Sequence, residues 1–254
     1  MYIDVHTHLC DKKYGGEIDG LVESYRNSGV GLVINSGYNI PSSEEVMNAS
    51  CRYDDMYFSA GVHPDDAKTL DNRAIDRLLG LSSHEKCLAV GEIGFDFYWN
   101  KSTEDEQVFA FEKQMEIADH LSLPFVVHSR NAAEKTLKFL KERKSLLRQG
   151  FLMHCFSESA EMAKEFQKLG AYFSFGGVIT FKNVKKEDVI RAIDTDRLLA
   201  ETDAPYLTPH PYRGQINDSS KVVLVTRKMS EILQISDGEM QVIIENNARR
   251  LFKL

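Results

Sequence analysis

The chain has 254 residues, 43% hydrophobic and 27% charged, and 31 basic against 38 acidic side chains give a formal net charge of −7. That balance fits a well-packed globular chain and argues against a broad basic face gripping long duplex nucleic acid. No apolar run approaches the roughly 18 residues of a membrane span, and Met1-Tyr2-Ile3-Asp4 opens no leader segment, so a cytoplasmic protein with no membrane contact is expected.

Short β-rich apolar runs alternate with longer amphipathic ones, the pattern of βα units around a parallel sheet. In chain order the predicted strands cover residues 2–6, 31–35, 57–62, 87–92, 125–128, 151–154, 172–175 and 198–201. Helical spacing is clearest over residues 104–121, 132–147, 160–169, 219–233 and 237–252. Ser102-Thr103 ahead of Glu104, Asp105 and Glu106 is a helix-start signature, and Gly150 and Gly170 stand where helices should stop.

No linker or low-complexity segment interrupts the series, so residues 1–254 are expected to form a single domain. Eight βα units in about 250 residues predict a (β/α)8 TIM barrel with its active site at the C-terminal strand ends. A doubly wound sheet would need a glycine-rich phosphate turn after strand one, where this chain has His6-Thr7-His8. Cys10, Cys51, Cys87 and Cys155 form no Cys-x-x-Cys pair and suit reduced thiols.

Chemistry collects at the predicted strand ends. His6 and His8 follow strand one, Glu92 strand four, His128 strand five and His154 strand six, with Asp203 just beyond strand eight. Residues two apart on a strand face the same way, so His6 and His8 can converge on one ion. Four imidazoles and two carboxylates exceed the needs of one tetrahedral zinc with an open position. They suit two divalent cations sharing a carboxylate. The expected first site is His6, His8, Glu92 and Asp203, and the second is Glu92, His128 and His154, with Glu92 as the bridge. Imidazole-rich ligation favours Zn2+, Mn2+ or iron over Mg2+.

Four motifs give these residues a context: Gly61-Val62-His63-Pro64, Ala89-Val90-Gly91-Glu92-Ile93-Gly94-Phe95-Asp96-Phe97, Met153-His154-Cys155-Phe156-Ser157, and Glu201-Thr202-Asp203-Ala204-Pro205-Tyr206-Leu207. With Ile3-Asp4-Val5-His6-Thr7-His8 at one end and Asn247-Ala248-Arg249-Arg250-Leu251-Phe252 at the other, the chain resembles the TatD family of metal-dependent deoxyribonucleases over its whole length. The resemblance implies a (β/α)8 barrel, two divalent cations and hydrolysis of DNA phosphodiesters, often from the 3′ end. Its metal positions fall on His6, His8, Glu92, His128, His154 and Asp203, its phosphate-side positions on His63 and Arg213, and its general base on Asp203. The family is commonly assayed with Mg2+.

Two departures bear on substrate. Asp65 stands where family members often carry a second histidine after His63, and Gln215-Ile216-Asn217-Asp218-Ser219 replaces a segment with basic residues. Short or single-stranded DNA ends are therefore the expected substrate, with no obligate protein partner. Tyr98 and Trp99, after strand four, can stack a base or pack over the barrel end. Arg130 shares strand parity with His128, and Lys182, Lys185 and Lys186 make a small basic cluster. The competing expectation is an amidohydrolase-like barrel acting on a small phosphate ester or lactone. Members with a bridging lysine need it at strand four, where this chain has Glu92.

Overall fold

The computed structural model describes residues 1–254. Eight strands alternate with helices: β1 (Tyr2–Thr7), α1 (Ile18–Asn27), β2 (Val30–Ser36), α2 (Ile40–Ser50), β3 (Met56–Ala60), α3 (Asn72–Ser82), β4 (Cys87–Asp96), α4 (Glu104–His120), β5 (Phe125–Arg130), α5 (Ala133–Glu142), β6 (Phe151–Met153), α6 (Ala160–Gln167), β7 (Ala171–Phe175), α7 (Glu187–Ala192), β8 (Leu198–Ala200), α8 (Val222–Leu233) and α9 (Asp237–Phe252). One sheet takes the strands in the order β1 to β8. The registered pairs are parallel, giving the (β/α)8 barrel class that the alternation predicts.

Local signals fix most boundaries. Thr103 caps α4 by accepting from the Glu106 N–H while the Glu106 carboxylate reaches back to the Thr103 amide, and Ser236 with Glu239 does the same for α9. The spacing predicts one helix over 132–147, but α5 ends at Glu142 and a 3-10 turn covers Lys144–Leu146. Arg143 interrupts it, with its guanidinium 3.7 Å from the Phe139 ring centre and 3.0 Å from Glu112. Similarly, residues 219–221 form a 3-10 turn ahead of α8.

The largest difference is in β4, which runs on past the predicted end at Glu92 to Asp96. Its extension is paired with β5, Gly94 opposite His128 and Asp96 opposite Arg130. Gln107 of α4 brackets that end, accepting from the Asp96 N–H at 2.9 Å and donating to the Asp96 carbonyl at 3.2 Å.

By packing, the chain divides into two compact units. The first comprises residues 1–35, 154–164 and 172–254, and it buries Val5, Ile34, Phe173, Phe175, Met229 and Ile244. The second comprises residues 36–153 and 165–171. Its core is aromatic: Phe111 and Phe139 stack at 4.6 Å, Phe95 meets both edge-on, and Phe125 stacks on Phe151 at 5.4 Å. Each ring so buried contributes roughly 1.5–3 kcal/mol. Phe95 thus anchors the end of β4 while its neighbour Asp96 faces the other way. All four cysteines are free thiols, and no helix is long and apolar enough to cross a membrane.

Candidate metal centre

The first unit gathers His6, His8 and Asp203 within ligand distance of one another. His8 Nε2 stands 3.5 Å and His6 Nε2 3.9 Å from the same Asp203 oxygen. The backbone brings them there: the Asp203 N–H donates to the His6 carbonyl at 3.0 Å, and the His8 N–H to the Ala204 carbonyl at 2.7 Å. Buried Asp4 reinforces this seam, accepting from the Thr202 N–H at 2.9 Å and hydroxyl at 2.6 Å. Asp203 takes a left-handed φ of 50°, a conformation that aims its carboxylate at the two imidazoles. The His154 ring lies 4.3 Å from that of His6. Burial raises the Asp203 carboxyl, but His8, and then the charges of His6 and His154, hold it below the ordinary value.

The second unit gathers His63, Glu92 and His128. His128 Nδ1 is 3.5 Å from Glu92 Oε2, and its Nε2 is 3.0 Å from Asp96 Oδ2. Asp96 is held ionised at about 2: burial pushes it up, and the hydrogen bond from His128 with the Trp99 and Tyr98 amides outweighs that. An ionised carboxylate can only accept, so His128 carries its proton on Nε2 and presents the Nδ1 lone pair on the Glu92 side. His63 has the opposite arrangement. Its Nδ1 accepts the Asp65 N–H at 3.1 Å, so the proton sits on Nε2, which points toward Glu92 at 4.0 Å as a donor.

These donors fit divalent cations. Two ligand atoms on a tetrahedral ion, each about 2.1 Å from it, stand roughly 3.4 Å apart. The 3.5 and 3.9 Å separations at Asp203 and the 3.5 Å separation between Glu92 and His128 are long for hydrogen bonds and near that spacing. Imidazole nitrogens and carboxylates are also the donor types such ions select. His63 has no lone pair left on Nε2 and suits an anionic substrate oxygen instead.

Arg213 is exposed, with its guanidinium 4.1 Å above the Phe181 ring. Within the divergent segment, buried Asn217 donates to the Thr202 and Tyr206 carbonyls at 3.0 and 2.7 Å, so it holds the loop that carries Asp203.

Four supporting residues had no role in the reading of the sequence: Asp96, Glu201, Gln107 and Gln114. Glu201 Oε1 lies 3.8 Å from His154 Nδ1, and its other oxygen accepts from the Ser174 hydroxyl at 2.5 Å. Gln114 brackets Val62 as Gln107 brackets Asp96, accepting from its N–H at 2.7 Å and donating to its carbonyl at 3.0 Å, and so sets the start of the His63 loop. The signal was present in α4: two glutamines seven apart lie on one face.

The model of the TatD-related DNase family matches residues 3–253. A protein of Bacillus subtilis strain 168 named as an uncharacterized metal-dependent hydrolase, YabD, is 38% identical over 255 residues, covering 100% of both chains. YcfH of Escherichia coli K12, named in the same way, is 32% identical over 99% of this chain and 96% of its own. The crystal structure of YjjV, a TatD homologue of Escherichia coli K12, superposes with a TM-score of 0.93 at 28% identity over 100% of this chain and 98% of its own. A TatD-family hydrolase of Entamoeba histolytica shares the fold, with a TM-score of 0.87 at 21% identity over 99% and 97% of the two chains. With two imidazole–carboxylate clusters at ligand spacing in a chain so matched from end to end, this protein belongs to the TatD family and is a metal-dependent hydrolase.

Proposed function

We propose that this protein hydrolyses DNA phosphodiesters with two divalent cations, as a cytoplasmic 3′-to-5′ exonuclease on short or single-stranded ends. The observation that carries this reading is the spacing of His6 and His8 against Asp203 and of His128 against Glu92, in a chain of a DNase-named family. On this reading His6, His8, Asp203 and Glu92 would hold one cation, and Glu92, His128 and His154 would hold the other. Bound divalent cations supply Lewis-acid charge to the phosphoryl oxygens and make a water acidic near neutral pH.

The chain's own residues do the rest. Asp203, ionised at neutral pH, accepts the proton of the attacking water on a carboxylate oxygen. His63 donates from Nε2 to a non-bridging phosphoryl oxygen, and Arg213 adds charge on the substrate side. Asp96 keeps His128 in the tautomer that turns the Nδ1 lone pair toward Glu92.

The test is digestion of 3′- and 5′-labelled single-stranded and duplex oligonucleotides with Mg2+, Mn2+ and Zn2+ in turn. Stepwise loss of mononucleotides from the 3′ end, faster on single strands, is expected. Turnover of a phosphomonoester or lactone without any DNA cleavage would overturn the reading in favour of a small-ester hydrolase.

A further inference from the structure

The end of β4 carries an aromatic and cationic surface that the chemistry above does not use. Tyr98 and Trp99 are each 54% exposed, so packing over the barrel end does not account for them. Their rings meet edge to face at 4.9 Å. The Arg130 guanidinium lies 4.1 Å above the Tyr98 ring and 5.5 Å from that of Trp99, and Arg130 pairs with no carboxylate. The Lys101 ammonium stands 5.6 Å from Trp99.

This surface is built rather than incidental. The Tyr98 and Trp99 N–H groups both donate at 2.8 Å to the Asp96 oxygen that His128 does not use, and the Phe97 N–H donates to the Arg130 carbonyl at 3.0 Å. One buried carboxylate therefore sets both the His128 ring beside Glu92 and the backbone under the two aromatic side chains.

We propose that Tyr98, Trp99 and Arg130 form a stacking platform for a nucleobase of single-stranded DNA next to the reacting phosphodiester, an inference that rests on the nuclease reading of the site. Flat exposed rings accept any base by stacking. An arginine stacked on one ring, with no acidic partner, keeps its N–H groups for the neighbouring backbone phosphate. The combination of planar rings and polyanion singles out a single strand, since the bases of a duplex are already stacked on each other.

Trp99 is the chain's one tryptophan and so reports directly on stacking. Titration of the metal-loaded protein with a phosphorothioate oligothymidylate, which resists hydrolysis, is expected to give saturable quenching of its fluorescence. By anisotropy of the labelled oligomer, Trp99→Ala is expected to weaken binding roughly 5- to 150-fold, and Arg130→Ala about two- to fivefold. An abasic phosphorothioate oligomer of equal length should neither quench nor respond to Trp99→Ala, and Trp99→Phe should recover most of the affinity for the oligothymidylate.

Binding of the oligothymidylate without quenching, or an equal loss for the abasic oligomer on Trp99→Ala, would overturn the platform. The two readings separate cleanly. Cleavage of ordinary DNA without quenching sinks the platform alone, whereas quenching without cleavage of DNA sinks the nuclease reading and with it the placement of the platform beside a reacting phosphodiester.

Discussion

His128 Nε2 lies 3.0 Å from Asp96 Oδ2, while the other Asp96 oxygen holds two successive backbone N–H groups at 2.8 Å. The carboxylate accepts three hydrogen bonds, and its orientation is fixed by backbone that belongs to the same turn. It is the kind of outer partner whose loss typically lowers metal affinity 10- to 100-fold.

Asp96→Asn is therefore expected to weaken cation binding by that factor, measured by isothermal titration. Its carboxyl sits at about 2, below the ordinary 3.8, so in the folded state it releases its proton more readily than in the unfolded chain. The stability this confers is complete above pH 3.8 and is lost as pH falls from 3.8 toward 2. Thermal unfolding across that window should show a steeper acid decline in the wild type than in Asp96→Asn.

Glu92→Ala is expected to leave no stoichiometric cation, because the proposed bridge serves both sites. Native mass spectrometry counts the ions. Loss of one with full retention of the other would show that Glu92 ligates only beside His128.

Asp203→Asn keeps the shape of the side chain and removes the base. A fall in kcat of about 10²- to 10⁴-fold is expected, with oligonucleotide affinity within a few fold of wild type by anisotropy. A large rise in the dissociation constant with kcat unchanged would assign Asp203 to substrate holding instead.

The histidines and acids of the two clusters could be read from sequence because they stand at strand ends, which a parallel sheet places along one edge whatever the side-chain packing. Asp96 could not. Every residue of β4 is buried, so its run of apolar and small residues has no alternation to mark where the strand stops. The continuation to Asp96 depends on Gln107 bracketing it from α4, a long-range contact with no local signature. Arg213 itself stands out in the sequence, but its seat on Phe181 does not, since that contact comes from a segment distant in sequence.

Gly94→Ala tests the β4 extension. Gly94 has φ of 139°, and a Cβ there would stand 2.0 Å from the His128 carbonyl oxygen. The backbone conformation alone costs about 1–3 kcal/mol for a residue with a side chain, and the overlap adds to it. Urea denaturation should register the loss, with weakened cation binding where the variant still folds.

The cysteines should differ sharply toward thiol reagents. Burial pushes the Cys87 thiol up to about 12, whereas Cys51 is exposed. At pH 8 Cys51 is expected to react with Ellman's reagent quickly and Cys87 only on unfolding. The raised Cys87 value also means that stability is undiminished below pH 9 and declines as pH rises from 9 toward 12.

The hydrogen bonds that join the end of β1 to the loop after β8 carry a consequence for biogenesis. His6 and His8 emerge from the ribosome long before Asp203 is synthesised, and contacts so remote in sequence close late and slowly. Until residue 203 has been made, a nascent chain holds only His6 and His8 of the proposed first cation site, so capture of that cation would report that translation has passed this point. Stalled chains released short of that point should lack the cation proposed between His6, His8 and Asp203, a simple marker of whether the last strand has docked.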